Sequence, residues 1–337
     1  MKRLAIALVL LLSAASAAAA DPIADFYAGK TLRMLVGYGP GGGYDIYGRL
    51  VAEFLPKFLP GHPSIVTENM PGAGSFAAAK YIANVAPKDG TVLASLAQTF
   101  ALDSAVGGSG KTNAADFHYI GRVTTNIDVG VARASSGITS IADARSKQYT
   151  VGASGRGSTT DIYAEALNAY GGTKFKIVLG YKGTSEILLA MDRGEVDISG
   201  AYGLPAMLTS HPDWINKGGA TLLFQAALKR SPLIPNVPTL PELALSDEGK
   251  AILGAIASTA EIGRSIISGP GVPPERLAAL RQAFAQMVKN PEFIAACDKR
   301  HLMLDPASGE DMDAIVKDTF ALPKPTLAKI GAMLSSK

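Results

Sequence analysis

At 337 residues the chain is long enough for two domains of about 150 residues each, and 47% hydrophobic with 18% charged residues excludes a largely disordered chain. The 32 Lys and Arg against 29 Asp and Glu leave a formal charge of +3; without Lys2 and Arg3, which lie in a segment read below as removed, the balance is 30 to 29. No basic stripe remains for sequence-blind binding of nucleic acid.

The chain opens with Lys2 and Arg3, continues as an unbroken apolar run over residues 4–12, and then turns to small residues ending in Ala18-Ala19-Ala20. This is the layout of a secretory signal peptide over residues 1–20, cleaved before Asp21. Nine strongly apolar residues are too few to span a bilayer, which takes about 20. The single cysteine, Cys297, excludes an internal disulfide and reads as a buried small residue in a helical stretch. His62, His118, His211 and His301 have no companions at metal-ligand spacing, so no metal site is expected.

After Asp21, β-type runs alternate with helical patterns. Residues 31–37 read as a strand, and the apolar spacing of Ile46, Tyr47, Leu50, Val51, Phe54 and Leu55 predicts a helix that stops near Pro56. A strand at 64–68, a helix at 76–85 and a strand at 91–96 follow. The pattern then restarts: strands at 117–123 and 128–133, a capped helix start at Ser140, a strand at 149–152 and a helix at 159–170. Further on come a strand at 175–179, a helix at 185–193 and a strand at 196–199. Such repetition argues for two α/β modules with largely parallel sheets. The last third reads as helices at 275–289, 291–301 and 310–320, expected to pack back on the first module.

Each module carries a glycine-rich loop between a strand and a helix. The first runs from Gly37 to Asp45 (GYGPGGGYD) and places unpaired backbone N–H groups at a helix start, where an anion is stabilised. Gly37-x-Gly39-x-x-Gly42 also matches a dinucleotide fingerprint, with Glu68 closing the next strand. Against that reading, Pro40 has no N–H to donate, and Asp45 sets a negative charge where a pyrophosphate would lie. The second loop, residues 152–161, offers Ser154, Ser158, Thr159, Thr160 and the guanidinium of Arg156, a set suited to a carboxylate. As a hydrolase elbow it departs from Gly-x-Ser-x-Gly, because Arg156 stands in the last glycine position. Two anion-cradling loops on two modules point to a small acid held between lobes that close on it.

Residues 37–49 (GYGPGGGYDIYGR), 68–75 (ENMPGAGS), 87–93 (PKDGTVL), 152–158 (GASGRGS), 180–183 (GYKG), 194–197 (GEVD), 235–242 (PNVPTLPE) and 269–277 (GPGVPPERL) stand in an order that spans nearly the whole mature chain. In these segments the sequence resembles the periplasmic substrate receptors of tripartite tricarboxylate transporters, the Bug/TctC family. The resemblance implies a type II periplasmic-binding-protein fold: two α/β domains joined by crossover strands with a ligand cleft between them. The expected division is residues 21–125 with 245–337 as the first domain and 126–244 as the second. It implies a non-enzymatic periplasmic protein, a monomer without cofactor or catalytic residue. Such a protein captures a di- or tricarboxylate or an aromatic acid and delivers it to membrane permease subunits; a receptor feeding a signalling kinase would use the same clamshell. Carried over by position, the ligand-binding residues are Tyr38, Pro40, Gly43, Tyr44 and Asp45 in the first loop and Ser154, Gly155, Arg156, Gly157, Ser158 and Thr159 in the second, with Tyr181 and Tyr202 facing the cleft. The family commonly has a small hydroxyl residue at the place of Tyr44 and a small or apolar one at that of Arg156, which implies a pocket of different size and charge.

Overall fold

A computed structural model describes residues 21–108 and 112–335; the signal-peptide segment, residues 1–20, lies outside the described residues. A short helix α1 (Pro22–Tyr27) leads into β1 (Thr31–Val36), α2 (Gly43–Phe54), β2 (Ser64–Asn69), α3 (Phe76–Asn84), β3 (Val92–Ser95), α4 (Phe100–Ala105) and β4 (His118–Arg122). The chain then crosses to β5 (Asp128–Arg133), α5 (Ile141–Ser146), β6 (Tyr149–Ala153), α6 (Thr159–Gly171), β7 (Phe175–Leu179), α7 (Thr184–Asp192), β8 (Ile198–Gly203), α8 (Leu204–Ser210), α9 (Asp213–Asn216) and β9 (Ala220–Ala226). After α10 (Asp247–Ala257) it returns through β10 (Ser265–Ser268) to α11 (Pro274–Met287), α12 (Pro291–Lys299), β11 (Ala307–Ser308), α13 (Gly309–Phe320) and α14 (Lys324–Ser335). None of these helices is long and apolar enough to cross a membrane.

The strands form two sheets of matching topology. The first runs β2-β1-β3-β10-β4-β11 and the second β7-β6-β8-β5-β9. In the first sheet β1, β2 and β3 are parallel, and β10, arriving from the other lobe, inserts antiparallel between β3 and β4. In the second, β6, β7 and β8 are parallel, and β5, arriving from the first lobe, inserts antiparallel between β8 and β9. This exchange of one strand between lobes is the type II arrangement.

Helices cover these sheets for the reason their sequences announce. β1 buries Leu32, Met34, Leu35 and Val36, a nearly continuous apolar run as expected of a strand covered on both faces. α2 turns Tyr44, Tyr47, Leu50, Val51 and Phe54 inward at helical spacing. Cys297 is buried in the same lobe's core beside Phe293, and desolvation pushes its thiol up to about 11, away from reactivity.

Two helices differ from expectation. α10, which apolar spacing did not reveal, sits with Ile252, Leu253 and Ile256 in the core of the second lobe, against Tyr163 and Leu167 of α6. The final helix α14 adds Ile330, Met333 and Leu334 to that same core, whereas α11, α12 and α13 pack on the first sheet. The physical reason is vacancy of surface: α6 is buried along much of its length, and its outer flank is covered by these two helices.

The two crossovers are bonded to each other. Val123 N donates to Arg264 O at 3.0 Å, Arg264 N to Thr124 O at 2.9 Å and Asn126 N to Ala260 O at 3.0 Å. Gly263 makes this possible, since it stands at φ +51° and a Cβ there would meet Thr124 O at 2.1 Å. Gly263→Ala is therefore expected to cost about 2 kcal/mol or more, read as a lowered midpoint in denaturant unfolding; a midpoint equal to the parent's would show that the crossovers adjust freely.

Candidate functional site

Three helices begin at one place between the lobes. α2 starts at Gly43, α6 at Thr159 and α7 at Thr184, and all three residues line a single interlobe cavity of about 20 Å³, room for roughly one water. Helix N-termini carry unpaired N–H groups and partial positive charge, so the cavity is set for an anion. Direct hydrogen bonds hold its rim shut: Gly39 N to Lys182 O at 2.8 Å, Thr99 Oγ1 to Gly157 O at 2.7 Å and Thr209 Oγ1 to His301 O at 2.8 Å.

The wall contributed by the crossovers carries two charges. Arg264 and Asp128 have side chains only 4% and 3% exposed, and Arg264 Nη2 lies 3.8 Å from Asp128 Oδ1. That is an ion pair without a hydrogen bond, and Arg264 Nη1 is buried with no hydrogen-bond partner. The guanidinium lies over the Tyr44 ring at 3.9 Å, and Tyr44 in turn stacks on Tyr38 with ring centroids 4.6 Å apart. Glycines make the space: a Cβ at Gly203 would stand 2.8 Å from Arg264 Nη2, and one at Gly43 would stand 3.2 Å from it. Burial pushes the Tyr44 phenol up to about 12, with Arg264 opposing, so the ring is neutral and its oxygen accepts from Gln98 N at 2.9 Å.

Asp128 rests on a buried polar network. Asn126 Nδ2 donates to Asp128 Oδ1 at 2.8 Å and to Gln98 Oε1 at 3.1 Å, Gln98 Nε2 donates to the Tyr163 hydroxyl at 3.1 Å, and that hydroxyl reaches Asp128 Oδ2 at 3.4 Å. Burial raises the Asp128 carboxyl above its ordinary range, against the lowering effects of Arg264 and these hydrogen bonds.

Both sequence and fold have known counterparts. The model of the tripartite tricarboxylate transporter family receptor matches residues 48–332. The chain belongs to this receptor family. A Cupriavidus necator relative, the UPF0065 protein in gbd 5'region, is 27% identical over 321 residues, covering 91% of this chain and 90% of its own length. Among solved structures, the periplasmic binding protein BugD superposes with a TM-score of 0.71 at 19% identity, covering 92% of this chain and 99% of its own. MatC from Rhodopseudomonas palustris, solved with bound malate, gives 0.70 at 20% identity, covering 90% of this chain and 99% of its own.

Within the receptor the expected loop residues separate into two groups. Tyr38, Gly43, Tyr44, Ser154, Thr159 and Tyr202 line the cleft. Tyr202 is backed by His211 and Trp214, which stack on each other at 4.1 Å, so the single tryptophan buttresses the wall. Pro40 is exposed and Tyr181 is half-buried against Gly152, and neither lines the cavity. Gly155 packs on the backbone of Ala73 and Gly74, and Ser158 is spent on Gly155 O at 2.6 Å. The hydroxyl of Ser154 pairs with Thr160 Oγ1 at 3.1 Å, a partner that is no base for a hydrolase.

Asp45, expected among the ligand-binding residues, holds its own loop. Its carboxylate accepts from Gly41 N at 2.9 Å, Arg49 Nε at 2.9 Å and Asn69 Nδ2 at 2.8 Å. Burial opposes its ionisation, but these donors outweigh burial and keep the carboxyl below the ordinary range. The second loop repeats the device, with Gly157 N donating to Asp161 Oδ2 at 2.8 Å. Arg156, expected as the carboxylate anchor, faces away. After it the chain turns at Gly157 (φ +74°), and its Nη1 lies 3.7 Å from Glu165 on the outer side of α6, beside a separate pocket shared with Lys80 and Phe76. The residues that sequence reasoning missed are Asp128 and Arg264. Their one local signal is a lone charge at the start of an apolar strand, as in Arg264 before Ser265-Ile266-Ile267.

Asp161 yields a pH test. Burial, helped by the charge of Glu165 and opposed by the Gly157 amide and Arg156, raises its carboxyl from 3.8 to about 6. A raised carboxyl binds a proton more tightly in the folded state, so its stabilising contribution is full below the unfolded value and is lost as pH climbs through about 6. Asp161→Asn, which still accepts from Gly157, is expected to gain in melting temperature relative to the parent between pH 4 and pH 7. A parent-to-variant difference that stays flat over that range would refute it.

Proposed function

We propose that this protein is a periplasmic receptor that captures a small organic carboxylate between its lobes and presents it to the membrane subunits of a tripartite tricarboxylate transporter. The observation that carries the reading is Arg264: a buried guanidinium in the interlobe cleft, with Nη1 unpartnered and its nearest carboxylate beyond hydrogen-bond distance. A ligand carboxylate supplies the acceptors that such a group lacks, in the planar geometry it prefers. The N-termini of α2, α6 and α7 reinforce the same site. MatC with malate, and a second Rhodopseudomonas palustris protein with adipate at a TM-score of 0.67, show that chains of this fold take carboxylates. The signal-peptide layout of residues 1–20 supports a periplasmic location.

A carboxylic acid larger than a water does not enter a cavity of about 20 Å³, so capture begins with the lobes parting at the crossovers and ends with closure over the ligand. Each lobe brings different groups to the anion, Gly43 and Tyr44 from one and Ser154 and Thr159 from the other, so the closed state is favoured only when both are engaged.

A thermal-shift screen of the purified protein against aliphatic, aromatic and amino carboxylic acids tests this reading. Ligand at 100 times its dissociation constant adds about 2.7 kcal/mol, a shift of a few degrees. With the ligand in hand, Arg264→Ala is expected to weaken binding about tenfold or more and Arg264→Lys by less, while Arg156→Ala stays within about twofold of the parent. Parent-like affinity in Arg264→Ala, or tenfold weakening in Arg156→Ala alone, would return the anchor to the second loop.

A further inference from the structure

We infer that the ligand is an α-amino acid bound as its zwitterion, its carboxylate on Arg264 and its ammonium on Asp128. The inference rests on the carboxylate-receptor reading and narrows it. Among the described residues that line the cleft, Arg264 and Asp128 are the charged ones, set side by side on the two crossovers. A receptor for acids that carry only oxygens has no use for a buried carboxylate next to its anchor, because that carboxylate repels the ligand at short range where water screens little.

Asp128 is also held in place. Asn126 fixes its Oδ1, and the Gln98 and Tyr163 network stands behind it, so it does not swing clear when an anion arrives. Its carboxylate also takes the Thr159 side chain and, at Oδ2, the Tyr163 hydroxyl at 3.4 Å, and with about four lone-pair sites it keeps room for a further donor. A ligand ammonium would fill that remaining capacity.

Spacing decides where on the ligand that donor sits. Guanidinium and carboxylate are 3.8 Å apart, so the ligand's carboxylate and its donor must be neighbours, on adjacent carbons. An α-hydroxyl also offers one donor there, but it leaves Asp128 without a counter-charge, whereas an α-ammonium offers three donors and a full charge.

Calorimetric titration of the purified protein with the twenty L-amino acids, and with the α-hydroxy and unsubstituted analogue of each binder, reads the inference directly. The expected result is that at least one amino acid binds about tenfold or more tighter than both of its analogues, and that N-acetylation, which removes the charge, abolishes the preference. In Asp128→Asn the ratio of amino acid to unsubstituted acid is expected to collapse to within about twofold; should that variant fail to fold, the parent's ratios and the N-acetyl ligand decide alone. An unsubstituted acid that binds as tightly as its amino acid, or di- and tricarboxylates that bind while every amino acid fails, would overturn this inference and leave the carboxylate receptor standing. Failure of every carboxylate, amino acids included, would remove both.

Discussion

The hydrogen bonds between the two crossovers at Arg264 are the constraint on which the rest of the molecule depends. The backbone of this residue is bonded on both sides, to Val123 and to Thr124, at the point where the lobes join. Its side chain leaves that junction directly into the cleft, over the Tyr44 ring and between the glycines at 43 and 203. One residue therefore joins the crossovers by its main chain and lines the cleft with its side chain.

The two lobes solve one problem twice. In each, a strand ends in a glycine-rich loop, a helix begins, and an aspartate in the first turn takes back a loop amide: Asp45 from Gly41, Asp161 from Gly157. An aspartate so placed stabilises the helix start and stiffens the loop, leaving the remaining N–H groups aimed at the cleft. Neither Asp45 nor Asp161 is among the residues that line the cavity. The two differ in solvation, since Asp45 is compensated by Arg49 and Asn69 while Asp161 is sealed beneath the second loop.

Closure of the second lobe's core by α10 and α14 has a mechanical consequence. The last helix of the chain follows three helices that sit on the first sheet, yet it anchors beside α6. The chain thus passes between lobes a third time near residue 322, a tether additional to the crossovers. Any relative movement of the lobes would carry this segment with it.

Much of this protein was legible in its sequence because the information was local. Apolar spacing gave α2 and α6, uninterrupted β-type runs gave β1, β5 and β7, and the turn glycines gave the loops, since each depends on residues within a few positions of one another. The short β10 was not legible: four residues are strand only because β3 and β4 lie on either side. Nor was the anchor. Arg156 sits in a loop rich in hydroxyls and looked suited to a carboxylate, but the turn at Gly157 carries it outward to Glu165. Arg264 and Asp128 stand 136 positions apart, in segments without any motif, and become a pair only when β5 and β10 exchange between sheets. The sequence by itself determined the α/β class and the two loops, because helix and strand periods and turn chemistry are short-range, and its ordered motif segments carried the resemblance to the family. Tertiary structure alone decided which charges face the cleft, because burial and proximity across a hinge are properties of no segment taken singly.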